Sequence, residues 1–447
     1  MTTRSPEHRK AIVYDPLEVS GTRTDNYQGF MSKKSNRVCF YFSAGFIMST
    51  ILALVSYSLV HGVLTDETSD VPAHRVVIPG PASATVEAEK SCGKRVVAYH
   101  DIPDREITGS QLSKLTHLIL MPVQVQLNGT LAFRSKGEER KFKIIVNEAK
   151  RVPNLKIMFS FTESMNNHNQ LSKIVDNRET KEILLNSILS FIMEHHLDGV
   201  DVQWRWPKTA TDYFNLIAFC KDLREKLQAL AKSIKRMTPF TLSVIFPRQK
   251  PSIDFNEILG YVDFITIETG YYDLWSEQFP NQTVQFCPLY SKKFEEASLH
   301  YTMKEYSCIT KQPHKFNIFV EFVGRFWENV IAPQNSSRTI GLNVDPMKGK
   351  KDWIPWWKVI KWNMSAVSWD DESKTSYIWD VNQRKYLVFE SERSLREKIK
   401  YAFEKNIGGL AVWRIDHDDY NDTMLSVLTT AKLCLGNNSD DVNYTCD

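Results

Sequence analysis

Eight short apolar runs, rich in β-branched and aromatic residues, alternate with amphipathic stretches along most of this sequence. The runs span 94–100, 116–125, 155–161, 198–204, 240–246, 262–268, 316–322 and 409–415. Continuous apolar runs of this kind are typical of parallel strands that helices cover on the outside. Eight such units predict a closed (β/α)8 barrel, the TIM barrel. The alternative is an open doubly wound sheet, which normally has a glycine-rich phosphate loop after its first strand, and no such loop follows 98–100.

The segment between the seventh and eighth runs is too long for a single helical return. It contains the stretches WIPWWKVIKW and SYIWDVNQRKYLVF. These stretches predict a small α+β insertion at about residues 326–390. The tryptophans of the first stretch are more typical of an insertion core than of a carbohydrate platform.

An uncharged segment near the N-terminus predicts one transmembrane helix. Residues 38–64 contain no Asp, Glu, Lys or Arg over 27 positions, which is enough for a helix to cross a bilayer. Basic residues precede the segment at 33, 34 and 37, and acidic residues follow it at 66, 67 and 70. This charge bias predicts a signal-anchor of a single-pass type II membrane protein, with its C-terminal domain lumenal or extracellular. A cleaved signal peptide and a buried core helix are the alternatives.

The domain organisation follows from these segments. We predict a cytoplasmic tail at 1–37, the transmembrane helix at 38–64, a lumenal or extracellular stalk at 65–91, the barrel domain at 92–434 and a C-terminal tail at 435–447. The formal charge of the whole chain is +3, and the cytoplasmic tail, with seven basic and four acidic residues, accounts for all of it. Because the rest is neutral overall, a generic nucleic-acid partner is excluded. A protein partner stays unknown.

Sequons and cysteines agree with an oxidising compartment. Candidate N-glycosylation sites are Asn128, Asn281, Asn335, Asn363, Asn421, Asn437 and Asn443. Six cysteines follow the apolar segment, which allows three disulfides in 15 possible pairings. A Cys92–Cys434 bridge would join the two ends of a closed barrel, but the sequence leaves the pairing open. No CxxC or paired Cys/His spacing predicts a metal site, and no cofactor is expected.

One strand carries a recognisable motif. The segment LDGVDVQWRWP at 197–207 resembles the DGxDxDWEYP signature of glycoside hydrolase family 18, the chitinases and chitinase-like lectins. Further resemblances follow in family order, at DFITIETGYYD (263–273), EFVGR (321–325) and the closing segment 390–419. The resemblance covers roughly 92–434 and implies a TIM barrel with an insertion between strands seven and eight. Membrane-anchored proteins of this shape are most similar to nematode chitinase-like proteins.

The resemblance also implies what the motif residues do. In the family, a ladder of carboxylates ends in a Glu that protonates the glycosidic oxygen, and the preceding Asp orients the N-acetyl group that acts as nucleophile. This sequence keeps Asp198 and Asp201 but has Gln203 and Arg205 at the last two positions. Because side chains alternate along a strand, Asp201, Gln203 and Arg205 are predicted to share the inward face. Arginine keeps its proton at any physiological pH and cannot serve as the acid.

Other family positions divide into kept and replaced ones. By resemblance, the candidate carbohydrate-binding residues are Tyr99, Asp201, Arg325 and Trp413, with Trp413 at the position of the sugar-stacking tryptophan. Two family motifs are altered: SxGG on the third strand becomes Ser160-Phe161-Thr162-Glu163, and MTYD on the sixth becomes Glu268-Thr269-Gly270-Tyr271, which loses the Tyr and Asp that grip the acetamido group. Val323 replaces the Tyr of PxYGR, and Pro122 replaces an aromatic residue of the second strand. The alternative for Asp198 and Asp201 is hydrogen bonding within the barrel, and the alternative for Arg205 is pairing with Asp201 or Glu268.

Three hypotheses of function remain. The first is a catalytically inactive chitinase-like protein that binds chitin or another N-acetylglucosamine glycan. The second is a membrane-tethered interaction or receptor-like ectodomain without sugar binding. The third, a minor alternative, is an active chitin-type hydrolase that uses another carboxylate, such as Glu163 or Glu268.

Overall fold

The computed structural model describes most of the region that follows the predicted stalk. The described residues are 94–102, 104–163, 169–204, 207–248, 253–269, 281–291, 298–331, 341–430 and 442–446. The predicted tail, transmembrane segment and stalk lie outside these ranges, as do Cys92, Cys434, Arg205, Gly270, Tyr271, Asn335 and Asn437. In the described ranges, no helix has the length and apolar character needed to cross a membrane.

Eight parallel strands form a closed barrel. They are β1 (Arg95–Asp101), β2 (His117–Val125), β4 (Lys156–Thr162), β5 (Gly199–Val202), β6 (Thr241–Phe246), β7 (Phe264–Ile267), β8 (Phe316–Glu321) and β14 (Gly409–Trp413). Each pairs with the next barrel strand, and β1 closes the ring by pairing with both β2 and β14. A short strand, β3 (Leu131–Ala132), pairs antiparallel with the end of β2. All eight apolar runs therefore form barrel strands, and the predicted TIM-barrel fold is confirmed.

Helices cover the outside of the barrel. They span Gly109–Leu112, Lys136–Ala149, Gln170–Asp176, Arg178–His195, Ala210–Ser233, Phe255–Leu259, Leu299–Thr310, Glu392–Glu404 and Thr423–Thr430. Local capping sets several of their starts. Thr209 and Asp212 form a capping box at the longest helix, and the Asn177 side chain accepts from the first turn of Arg178–His195. His196 ends that helix in the left-handed region, with φ of 53°.

A second sheet lies between β8 and β14 in the chain. Its strands are β9 (Val323–Glu328), β10 (Lys350–Pro355), β11 (Ser368–Asp370), β12 (Thr375–Asp380) and β13 (Lys385–Phe389), in the antiparallel order β10-β9-β13-β12-β11. One short helix, Trp356–Val359, follows β10. The inserted unit begins only one residue after β8, because Phe322 alone separates β8 from β9.

Apolar side chains pack on both faces of the barrel strands. On β5, Val200 and Val202 belong to the large core between strands and helices, together with Trp204 just beyond the strand. Asp201 lies between these outward residues and is fully buried on the inner side, and Gln203 is also buried. The predicted alternation is therefore confirmed for Val200, Asp201 and Val202. A separate cluster fills the lumen, with Val97, Tyr99, Ile119, Met121, Met158, Ile245, Phe264 and Ala411 as its buried members.

The prediction of a disulfide bond is confirmed, with fewer bonds than the six cysteines allow. Cys308 and Cys446 form a disulfide that ties the C-terminal tail to the helix Leu299–Thr310. Tyr444 of the same tail hydrogen-bonds to Tyr401, with 2.8 Å between the hydroxyl oxygens. Cys220 is a buried thiol in the core, and burial raises its pKa to about 12. Three disulfides among the six cysteines are therefore not formed, because Cys220 contributes to core packing instead.

Candidate functional site

The polar centre of the barrel lumen is the carboxyl group of Asp201. Ser160 Oγ donates to Asp201 Oδ2 at 2.9 Å, and Ser243 Oγ donates to Oδ1 at 2.6 Å. Tyr99 Oη donates to the same Oδ1 at 3.4 Å. These donors come from β4, β6 and β1, so barrel closure is what assembles them around β5. An acceptor surrounded by three hydroxyl donors is well satisfied despite its complete burial.

Burial controls the protonation of this centre. Desolvation raises the pKa of Asp201 from 3.8 to about 6, although the hydrogen bonds from Ser243, Ser160 and Tyr99 oppose the shift. Burial also raises the pKa of Tyr99 well above its usual value, and the nearby charges of Asp201 and Glu268 add to that effect. Tyr99 therefore stays a hydroxyl donor at every pH at which the protein folds.

Trp413 lies at the end of β14, beside the polar centre. Its indole centroid is 5.3 Å from the ring of Tyr99 and 5.4 Å from that of Phe319, with an interplanar angle of 31° to Phe319. The side chain is half-buried. The structure thus brings together three of the four candidate carbohydrate-binding residues, namely Tyr99, Asp201 and Trp413.

The residue after Trp413 ties two strand ends together. Arg414 Nη1 donates to Asp101 Oδ2 at 2.5 Å, and Nη2 donates to Asp416 Oδ2 at 3.1 Å and to Asp104. Because Asp101 ends β1 and Trp413 ends β14, these bonds hold the Tyr99 strand against the Trp413 strand. Burial raises the pKa of Asp101, and the positive charge of Arg414 opposes that shift.

The fourth candidate, Arg325, lies elsewhere in the fold. It belongs to β9 of the inserted sheet, opposite Trp353 on one side and Val388 on the other. Its guanidinium carbon is 5.9 Å from the centroid of the Phe286 ring. Its assignment to a sugar site stays a prediction.

Asp198 lies apart from the Asp201 centre. It precedes β5, where its Oδ1 accepts from Arg236 Nη2 at 2.6 Å and its Oδ2 accepts from the Ile157 amide at 2.9 Å. These contacts favour the interpretation in which Asp198 supports the fold. A carboxylate ladder that includes Asp198 is therefore not what the structure forms, because Arg236 holds this side chain at the opposite end of the strand.

Glu163 and Glu268 follow the ends of β4 and β7. Glu163 is buried, and its Oε2 accepts from the Leu171 amide at 3.1 Å, in the first turn of the helix Gln170–Asp176. Desolvation raises the pKa of Glu163 to about 7. Glu268 is also buried and lies close enough to Tyr99 to affect its pKa. The predicted pairing of Glu268 with Arg205 stays a prediction, because Arg205 is not described.

Sequence reasoning missed two groups in this site. Ser243 was not singled out, although it is a polar residue flanked by the apolar residues Leu242 and Val244 within its strand, and that contrast was the available signal. Phe319 was also missed, and only the packing against Trp413 identifies it. Within the part of the chain that is described, no group of three or more His, Cys, Asp or Glu side chains could hold a metal ion.

The fold and the site together define a (β/α)8-barrel protein with a carboxyl centre at the inner face of its fourth barrel strand. The sequence profile of glycosyl hydrolases family 18 matches residues 95–418. The chain therefore belongs to that family.

Curated relatives are chitinases of low identity. The chain is 21% identical to class V chitinase CHIT5a of Medicago truncatula over 319 residues, which are 68% of this chain and 80% of that protein. It is 20% identical to chitinase B of Serratia marcescens, over 73% of this chain and 78% of that one. The match to the chitinase of Autographa californica nuclear polyhedrosis virus covers only 47% of the viral protein.

Solved structures share the fold. A class V chitinase variant of Nicotiana tobaccum in complex with NAG4 has a TM-score of 0.67 and 15% identity, covering 75% of this chain and 98% of that one. The chitinase TsES1 of Trichuris suis has a TM-score of 0.66 and 18% identity, covering 77% and 100%. The chitinase-like agglutinin RobpsCRA of Robinia pseudoacacia has a TM-score of 0.66 and 16% identity, covering 75% and 99%.

Proposed function

We propose that this protein is a catalytically inactive, chitinase-like membrane protein that binds chitin or another N-acetylglucosamine glycan. The observation that carries the proposal is the pair of rings beside the carboxyl of Asp201, with half-buried Trp413 at the end of β14 packed 5.3 Å from the buried ring of Tyr99. An indole offers a face for stacking on a sugar ring, and its polar neighbours can fix the orientation of that ring. A fold relative, YKL-39, was solved in the presence of chitooligosaccharides, which supports this class of ligand.

The loss of catalysis rests on the residues that follow Asp201. A general acid must have a pKa near the working pH, and the arginine at position 205 stays protonated far above it. Gln203, which is buried, can donate to an acetamide oxygen but has no negative charge to stabilise a cationic intermediate. The two replacements together remove the proton donor and the electrostatic stabiliser of the substrate-assisted reaction.

The hydrolase alternative needs another carboxylate to take over. Glu163 has a raised pKa that suits an acid, but its Oε2 accepts a hydrogen bond from the Leu171 amide in the helix Gln170–Asp176. That contact supports a structural role. Glu268 lies nearer to Tyr99, but it follows the sixth barrel strand and not the fourth.

The interaction-domain alternative has its own support. The Tyr and Asp that grip the acetamido group in the family are replaced here by Gly270 and Tyr271, and two further family aromatics are replaced by Pro122 and Val323. A barrel mouth altered in this way could have lost all affinity for sugars while keeping its fold.

A paired assay separates these functions. Full-length protein in detergent is tested for binding to chitin oligomers by calorimetry and for their turnover. We expect binding without turnover, and we expect Trp413→Ala to lose binding while Trp369→Ala, on the outermost strand of the inserted sheet, keeps it. Turnover by the wild type that Glu163→Gln or Glu268→Gln abolishes would show that the inactive assignment is wrong. Absence of binding to any glycan would favour the interaction domain.

A further inference from the structure

A short surface stretch of the inserted unit combines a sequon with several exposed apolar side chains. Ile360, Met364 and Val367 are 40%, 38% and 38% exposed. Trp357 is half-buried nearby, with the ammonium groups of Lys358 and Lys361 at 5.0 and 5.3 Å from its ring centroid. We call Trp357, Ile360, Met364 and Val367 the apolar patch. These four residues fall within eleven consecutive positions of the chain, and exposed apolar side chains that lie together mark a surface that another group covers.

The sequon lies within this patch. Asn363 is exposed, directly before Met364, and starts the 3-10 turn Met364–Ala366. Its Oδ1 accepts from the Ser365 amide at 3.2 Å, and its carbonyl oxygen accepts from the Ala366 amide at 3.0 Å. This turn fixes the side chain through its oxygen and leaves the amide nitrogen, the atom that carries an N-glycan, without a role in the turn.

We propose that Asn363 carries an N-linked glycan whose first N-acetylglucosamine packs on the apolar patch and covers it. The proposal rests on the lumenal or extracellular placement proposed above. The occupant is chosen on chemistry. A pyranose has an apolar face of C–H groups that packs on an indole or a methyl cluster, and its hydroxyls face water and the ammonium groups of Lys358 and Lys361. Covalent attachment at Asn363 holds the sugar at high effective concentration beside the patch.

A second sequon of the same geometry provides a matched control. Asn128 is exposed, and its Oδ1 accepts from the Thr130 amide at 3.0 Å and from Thr130 Oγ1 at 2.7 Å. Its neighbour Leu127 is 73% exposed, but the tryptophan and methionine that flank Asn363 have no counterpart in the turn Asn128–Thr130. A glycan there would extend into solvent.

The test uses the full-length chain expressed in glycosylating animal cells, with Ser365→Ala and Ser365→Thr as paired variants. Ser365→Ala removes the sequon but keeps the Asn363 turn, and Ser365→Thr keeps both. Glycopeptide mass spectrometry should find Asn363 occupied in the wild type and in Ser365→Thr. Endoglycosidase should release the Asn363 glycan from the folded protein more slowly than the Asn128 glycan, by roughly 2- to 10-fold, the range that ring packing supplies.

The functional readout is exposure of the patch. Ser365→Ala should bind more of a hydrophobic dye and aggregate faster on warming than Ser365→Thr, whereas Asn128→Gln should match the wild type. In Ser365→Ala, a further Ile360→Ser and Met364→Ser change should restore the low dye binding.

Several results would overturn the proposal. These are occupancy at Asn128 with none at Asn363, equal release rates at the two sites, or equal dye binding by Ser365→Ala and Ser365→Thr. Concentration-dependent self-association that Ile360→Ser abolishes in the wild-type chain would assign the patch to a second copy instead. If no sequon at all is occupied, the proposed lumenal placement fails, which is a different outcome from a failure at Asn363 alone.

Discussion

At the scale of single residues, Asp201 shows how hydroxyl groups can hold a buried carboxyl group in place. Three hydroxyl donors, from Tyr99, Ser160 and Ser243, surround it at 3.4, 2.9 and 2.6 Å. Hydroxyl groups can donate to the ionised form or rotate to accept from the protonated form. The centre therefore tolerates both protonation states, and the energetic difference between them depends on burial.

This difference predicts a pH dependence of stability. The pKa of Asp201 is about 6 in the folded chain and 3.8 in the unfolded chain. Between these two pH values, the unfolded chain therefore releases a proton that the folded chain retains. The contribution of Asp201 to the free energy of unfolding therefore falls as pH rises from about 4 to 6 and is constant above that. Asp201→Asn lacks this contribution. Relative to wild type, it should gain on the order of 3 kcal/mol between pH 4 and pH 7.

Denaturant unfolding of both proteins across that pH range measures the effect. Ser243→Ala is the companion variant, because it removes a donor that favours the ionised form and should move the pH window upward. A wild-type-to-Asn difference that stays constant with pH would mean that Asp201 is not buried as a carboxylic acid.

At the scale of elements, the junction between the inserted sheet and the barrel depends on one buried ion pair. Glu390 follows β13 and contacts Lys398 Nζ of the helix Glu392–Glu404 through Oε2, while its Oε1 accepts from Ser394 Oγ at 2.6 Å. The two side chains are 0% and 2% exposed. The pair thus fixes where the inserted sheet returns to the helix that precedes β14.

Replacing only the lysine of this ion pair should lower the stability more than replacing both of its members. Lys398→Met leaves a buried carboxylate without its cation and should lower the free energy of unfolding by about 3–5 kcal/mol. Adding Glu390→Gln should recover part of that loss. The exposed pair Arg396–Glu392, at 3.7 Å on the same helix, is the control, and Arg396→Ala should change stability by less than ~1 kcal/mol.

Unfolding curves for the single and double variants complete that double-mutant cycle. Additive effects of the Glu390 and Lys398 changes would mean that the two groups do not interact energetically.

At the scale of the whole molecule, the surface agrees with the proposed topology. Five of the seven sequons fall in described residues, and all five asparagines are exposed, namely Asn128, Asn281, Asn363, Asn421 and Asn443. They come from the barrel loops, the inserted unit and the C-terminal tail. Glycans could thus be added across the domain without displacing core side chains.

Reversal of the charge bias should reverse the topology. Replacing Lys33, Lys34 and Arg37 by Glu removes the basic flank, so the fraction of chains whose C-terminal domain is glycosylated in animal cells should fall. Enzymatic deglycosylation and a gel shift measure that fraction. The control Lys33→Arg with Lys34→Arg keeps the charge and should match the wild type. Full glycosylation of the Glu variant would show that other features set the orientation.

The local pattern of the sequence was sufficient to predict the barrel and to identify the strand that carries Asp201. Alternation of apolar runs with amphipathic stretches is a property of short windows, and the eight runs became the eight barrel strands within a few residues at each end. The inward parity of Asp201 and Gln203 also followed from the strand alone, since side chains alternate wherever a strand forms.

Only the tertiary structure decided which groups meet. Asp198 and Asp201 look equivalent in the sequence, yet Arg236 binds the first and hydroxyls from three other strands surround the second. The bond between Cys308 and Cys446, 138 residues apart, could not be chosen among the pairings that the sequence allowed. The physical reason is that such contacts depend on strand register and barrel closure. Both are properties of the closed ring, and no local window of residues encodes them.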